Sequence, residues 1–215
     1  MSRAAVAPTP IDPALHALAR DARGFLDDDE GLRLYELARD HAGLGPVLEI
    51  GSYCGKSSLY LGSGVRAGGG ILVCLDHHRG SEEHQPGEEY HDAALVDRIT
   101  GKMDTLGELR RTIAQADLES STMLVVTSSQ TAARVWQTPL AMVFIDGGHS
   151  FEAAEADYAG WAPKVTSGGI LAIHDLFPDP ATGGQAPIEI YRRALASGDF
   201  DALPTTKTLG VLRRR

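Results

Sequence analysis

Apolar residues recur along this chain in two rhythms. Short, nearly unbroken apolar runs occur at 46–50, 71–75, 123–126, 140–145 and 170–173. Between them, apolar positions return every three or four residues, as in Leu106, Leu109, Ile113 and Ala116. The first rhythm predicts buried parallel strands, and the second predicts amphipathic helices. Helices are expected over 13–22, 29–42, 55–64, 104–116, 151–163 and 187–198, with another opening at 127–130. Residues 202–213 are expected to supply antiparallel closing strands. Strands that alternate with helices predict an α/β fold with a doubly wound, mostly parallel sheet and helices on both faces.

The polar residues that interrupt this pattern cluster where the strands end. The first run leads into Glu49-Ile-Gly51-Ser-Tyr53-Cys-Gly55-Lys-Ser57-Ser58. That reads as strand, glycine turn and helix start, where free N–H groups face a ligand. Gly55-Lys56-Ser57 imitates the end of a phosphate-binding loop, but position 50 is Ile where that motif needs Gly. The second run ends at Asp76-His77, and a carboxylate at this distance from the glycine turn suits ribose hydroxyls. The fourth ends at Asp146-Gly-Gly-His149 and the fifth at His174-Asp175. Strand carboxyl ends share one edge of such a sheet, so these residues are expected to meet in one cleft. Asp146 and Asp175 are hard oxygen donors suited to Mg²⁺, and a neutral His149 could take a proton.

Composition narrows the setting. The 215 residues carry a net charge of −9, which argues against nucleic acid as a partner. No apolar run approaches the roughly 20 residues of a membrane span, and the start lacks a signal-peptide core, so no membrane partner and a cytoplasmic location are expected. Cys54 and Cys74 read as core thiols. Residues 1–12 are expected as a disordered or loosely docked tail, and 13–215 as one domain. The acidic run Asp27–Glu30 reads as a helix start rather than a metal site. The polar stretch 77–92 holds four histidines in no standard zinc spacing, and a lid over ligands, with Arg79 and Tyr90 contributing, suits it better. Nothing in the residues sets an oligomeric state, and a homodimer is the base-rate expectation.

The stretch Glu49–Ser57, with Asp76-His77, Ser129-Gln130, Phe144-Ile-Asp-Gly-Gly-His149-Ser and His174-Asp175, resembles the class I S-adenosylmethionine-dependent O-methyltransferases of catechol O-methyltransferase type. The resemblance spans about 45–178 and is strongest to small bacterial enzymes acting on sugars and natural products. It implies a Rossmann-like, seven-stranded sheet with an antiparallel last strand, and S-adenosylmethionine as methyl donor. It implies cofactor contacts at Glu49, Gly51, Tyr53, Gly55, Ser57, Asp76, His77, Ser129 and Asp146. It also implies a divalent metal, Mg²⁺ or Mn²⁺, on Asp146, His174 and Asp175, with His149 as the catalytic base. His174 departs from the acidic residue more usual there. As a ligand, imidazole would favour Mn²⁺, Fe²⁺ or Zn²⁺ over Mg²⁺; otherwise it supports the site from behind or touches the acceptor.

The loop Asp76–Gly87 and His174–Pro180 further resemble actinobacterial polysaccharide O-methyltransferases, implying an oligosaccharide acceptor such as a mannoside of a methylmannose polysaccharide, methylated at the 1-O position. A phenolic or other small-molecule acceptor, a non-catalytic S-adenosylmethionine-binding module and a dinucleotide-dependent oxidoreductase stay open as alternatives. The oxidoreductase lacks its third fingerprint glycine here.

Overall fold

Seven strands form one sheet in the order β3-β2-β1-β4-β5-β7-β6 in the computed structural model, which describes residues 9–88 and 90–215. The parallel strands are β1 (Val47–Ile50), β2 (Leu72–Asp76), β3 (Thr122–Val126), β4 (Leu140–Ile145) and β5 (Val165–Ile173). The chain closes with β6 (Phe200–Thr206) and β7 (Leu209–Arg214). β7 inserts between β5 and β6 and runs antiparallel to both. This is the Rossmann-like, seven-stranded sheet with an antiparallel last strand that the resemblance implied. β1 and β4 are neighbours although two strand–helix units separate them in sequence, so the sheet order reverses there and leaves a crevice above their carboxyl ends.

Helices α1 (Pro13–Asp21), α2 (Asp28–His41), α3 (Lys56–Gly68) and α4 (Leu106–Gln115) belong to one face, and α5 (Ser129–Val135), α6 (Phe151–Trp161) and α7 (Ala186–Ala196) to the other. β1, β4 and the end of β5 are buried on both faces, which explains their unbroken apolar runs. Both cysteines are buried free thiols.

Three of the boundaries that differ from expectation are informative. β5 starts five residues early, at Val165, because its first turn pairs with Leu140 across a register shift. Helix α3 runs to Gly68, past its predicted end at 64, because Gly64 and Gly68 lie flat against the backbone of α2 where a Cβ would collide. Their low helix propensity hides that packing role from a periodicity reading. The third difference is the α6 end, which tightens into a short 3₁₀ turn after Trp161.

Of the expected loose tail, residues 1–8 lie outside the described residues. Thr9 is docked: its carbonyl accepts from the Tyr35 hydroxyl (2.9 Å) and the Arg39 guanidinium (2.7 Å). The acidic run caps α2 as expected, with Asp27 and Glu30 forming a reciprocal capping box. Among the described residues no helix is long and apolar enough to cross a membrane.

Candidate active site

A cavity of about 510 Å³ opens above the carboxyl ends of β1, β2, β4 and β5. Gly51, Tyr53, Ser57, Asp76, His77, Ser129, Asp146, His149, His174 and Asp175 all line it. Residues up to 124 positions apart in sequence thus meet at one rim. Two expected contacts do not. Glu49 is fully buried beneath the floor, where it accepts from Ser57 (2.6 Å) and Ser58 (2.5 Å) on the first turn of α3. It fastens helix to strand instead of facing a ligand, and burial raises its pKa. Gly55 also faces away. With φ of +97°, it caps α3 in the left-handed region, and a Cβ there would press on Leu109 and Thr112 of α4.

The turn glycine Gly51 needs its missing Cβ for a protein neighbour: a Cβ would come within 2.0 Å of the Asp146 carbonyl. Close seating of the β1 and β4 ends is therefore what requires glycine, more than approach of a ligand. Lys56, the residue that suggested a phosphate loop, points its ammonium at the carbonyls of Arg20 (2.9 Å) and Ala22 (3.2 Å).

Asp76 closes β2 with one carboxylate oxygen accepting from Tyr53 N–H (2.9 Å) and the other from His78 N–H (2.6 Å). Each oxygen keeps a lone pair for a further donor. Tyr53 and Asp175 both hold left-handed backbone angles (φ of 45° and 58°), uncommon for side-chain-bearing residues and typical of functional rims.

Asp146, His149 and Asp175 each offer one ligating atom, and these atoms lie within 4.8 Å of one another. No other such group of three occurs among the described residues, the His-rich loop included. His149 is pinched between carboxylates, with Nε2 3.0 Å from Asp175 and Nδ1 3.1 Å from Glu83. Its bond to Asp175 is the main cause of a pKa pushed up to about 9, so the imidazole is protonated at neutral pH as it stands, not neutral as its ordinary value implied. Asp175 moves the opposite way, well below the carboxylate range; its bonds to His149 and His174 overcome the opposing effect of burial.

His174 corrects the expected ligand set. It is 6% exposed, with Nδ1 3.0 Å from Asp146 and Nε2 3.0 Å from Glu30 of α2. Both ring nitrogens are engaged, and the flanking carboxylates raise its pKa strongly against the effect of burial. It braces Asp146 from behind. Glu30 completes the brace by accepting from the N–H and hydroxyl of Thr208 (both 2.8 Å).

Sequence reasoning missed Glu30, Glu83, His84 and Asp157. Glu83 and His84 come from the long 77–105 connection, which lies over the cavity mouth. It is tied down by Arg79 to the Met103 carbonyl (3.0 Å), His78 to Thr105 (2.7 Å) and Arg23 to Asp92 (2.7 Å). Phe25, Tyr53, His84 and Tyr90 gather at that mouth, with ring centroids 5.0 Å apart for Phe25–Tyr90 and 5.1 Å for Tyr53–His84.

Residues 48–176 match a protein-family model described as a methyltransferase domain. The chain belongs to that family. Solved structures share the fold of this methyltransferase along nearly its whole length. The SAH-bound methyltransferase PaMTH1 of Podospora anserina is 17% identical over 97% of this chain and 91% of its own, with a TM-score of 0.64. The O-methyltransferase TomG of Streptomyces achromogenes, involved in tomaymycin synthesis and solved in complex with SAM, is 18% identical over 94% and 90%, TM-score 0.61. An O-methyltransferase of Bacillus cereus in complex with SAH is 19% identical over 93% and 86%, TM-score 0.59.

Proposed function

We propose that this methyltransferase moves the methyl group of S-adenosylmethionine to a saccharide hydroxyl, with a divalent cation, Mg²⁺ or Mn²⁺, held by Asp146 and Asp175. The observation that carries the reading is the meeting of Asp146, His149 and Asp175 in the same cavity as Gly51, Tyr53 and Asp76. The nucleoside lies with its ribose on Asp76 and its base toward Ser129 and Gln130, which leaves the sulfonium facing the acidic cluster.

Two hard carboxylates and an adjacent imidazole suit such a cation. When bound, it would neutralise the charge that keeps His149 protonated and would acidify a hydroxyl beside it. His149 then accepts the acceptor proton at Nε2 while the hydroxyl oxygen attacks the methyl carbon. The carbon–sulfur bond breaks with its electron pair left on sulfur, giving S-adenosylhomocysteine. Alignment of oxygen, carbon and sulfur is the remaining contribution of the cavity walls.

The tilted rings at the mouth favour a puckered pyranose over a flat phenol. Their interplanar angles of 33° to 68° make a concave box, not parallel plates. This supports a saccharide acceptor, and the loop resemblance alone points to a mannoside methylated at O1.

Transfer of labelled methyl to an oligosaccharide panel, with and without EDTA, tests the reading. Turnover on a mannoside that EDTA abolishes is the expected result; transfer only to phenols would overturn the acceptor assignment. His149→Ala is expected to keep its affinity for S-adenosylhomocysteine and lose roughly 10²–10⁴-fold in turnover. A second reading makes His149 the third metal ligand, favoured by the 4.8 Å grouping. Mn²⁺ affinity separates the two: His149→Ala leaves it unchanged if the residue is the base and weakens it if the residue is a ligand.

A further inference from the structure

Asp157 lies in α6, one turn beyond Ala154 and four residues before Trp161, on the helix stripe that packs against the sheet. It is 3% exposed, yet it lines the cavity, and its Oδ1 is fully buried with no hydrogen-bond partner in the protein. A buried carboxylate oxygen left unpaired is costly and calls for a partner that arrives from outside the chain. Gly147, Ser129 and Ile50 line the same cavity; a Cβ on Gly147 would sit 2.9 Å from Oδ2 and 3.7 Å from the Ile50 side chain. Only glycine fits at 147 without crowding the Asp157 carboxyl.

Ser129 does not take the outside partner's place. Its Oγ accepts from the Trp161 indole N–H (2.8 Å), and the hydroxyl lies close enough to Asp157 to partly offset the effect of burial on that carboxyl. Held by the Trp161 indole, the hydroxyl sits beside Asp157 and helps to orient the carboxylate.

We infer that Asp157 is the base-reading residue of the cofactor site, its free carboxylate oxygen accepting from the exocyclic amino group of the adenine. Adenine presents two N–H donors at that position, while hypoxanthine presents a carbonyl that an anionic oxygen repels. The expected role of Ser129 beside the adenine amino group becomes that of a positioning residue acting through Asp157. The inference rests on the proposed placement of the ribose on Asp76.

Calorimetry with S-adenosylhomocysteine and S-inosylhomocysteine at pH 8 tests it without turnover. The native enzyme is expected to prefer the adenosyl compound by roughly 10- to 100-fold, the range of one charge-assisted hydrogen bond. In Asp157→Ala the preference falls to within about threefold, through lost adenosyl affinity. Asp157→Asn, nearly isosteric and less exposed to misfolding, shows the same loss of preference in smaller degree, because its amide oxygen still accepts from the adenine amino group, though without the charge. Asp76→Ala is the control for placement and weakens both compounds equally. If Asp76→Ala weakens both while both Asp157 variants keep the native preference, Asp157 does not read the base. If Asp76→Ala leaves both affinities intact, the placement beneath the inference is wrong.

Discussion

Burial pushes the Asp157 carboxyl up to about 6 from its ordinary 3.8, only partly offset by the Ser129 hydroxyl. An unfolded chain releases this proton near 3.8 and the folded chain near 6, so between those values folding retains a proton that unfolding gives up. The stabilising effect of the protonated residue is full below about 3.8 and is lost as pH rises through about 6. Asp157→Asn removes the titration. In ligand-free urea unfolding, its stability relative to the native chain is expected to improve by up to about 3 kcal/mol from pH 4 to pH 8. A constant difference across that range would show that the carboxyl is not desolvated. At this scale the strand-end residues Asp76, Asp146, His149 and Asp175 were legible, because a polar residue closing an apolar run announces itself. Asp157 was missed, because a single carboxylate in a packing helix reads first as a solvated one. Glu30 was hidden by its own second use: it does cap α2, and nothing in a capping box reveals that the same carboxylate reaches His174 and Thr208.

The elements meet through contacts that a strand-and-helix pattern cannot display. Gly51→Ala places a methyl against the Asp146 carbonyl at a φ of +88° and forces apart the β1 and β4 ends. Both loss of S-adenosylhomocysteine binding and a lower melting temperature are expected; a variant that melts like the native chain would show that the crevice is more pliant than its packing implies. Glu30→Ala removes the carboxylate joining α2, the end of β5 and the β6–β7 turn. It leaves a buried imidazole and a buried N–H without that partner, so a loss of about 3–5 kcal/mol in equilibrium unfolding is expected. The polar stretch 77–92 was legible as a lid by its length and polarity, whereas its pairing of Glu83 with His149 was not, since it joins residues 66 positions apart.

Across the whole molecule the charge is −9, and the cavity gathers Asp76, Glu83, Asp146 and Asp175 around one opening. S-adenosylmethionine carries a net positive charge and its demethylated product does not. In metal-free protein the substrate is expected to bind more tightly than the product at 20 mM NaCl, and the gap to narrow at 500 mM, where screening is nearly complete at contact-scale distances. Equal salt responses for the two, read by calorimetry, would remove the acidic rim from any role in capture. The common crevice at the strand carboxyl ends could be anticipated from strands alternating with helices; the strand order, with β7 inserted between β5 and β6, could not be read from short C-terminal runs.

The Glu30 bridge bears on where this protein could be cut. A polypeptide trimmed to the family-defining span of 48–176 would retain every strand-end acid of the site yet lose both residue 30 and residue 208. His174 would then face Asp146 with its other nitrogen unanchored, so the shortest recognisable version of this domain is not a working one.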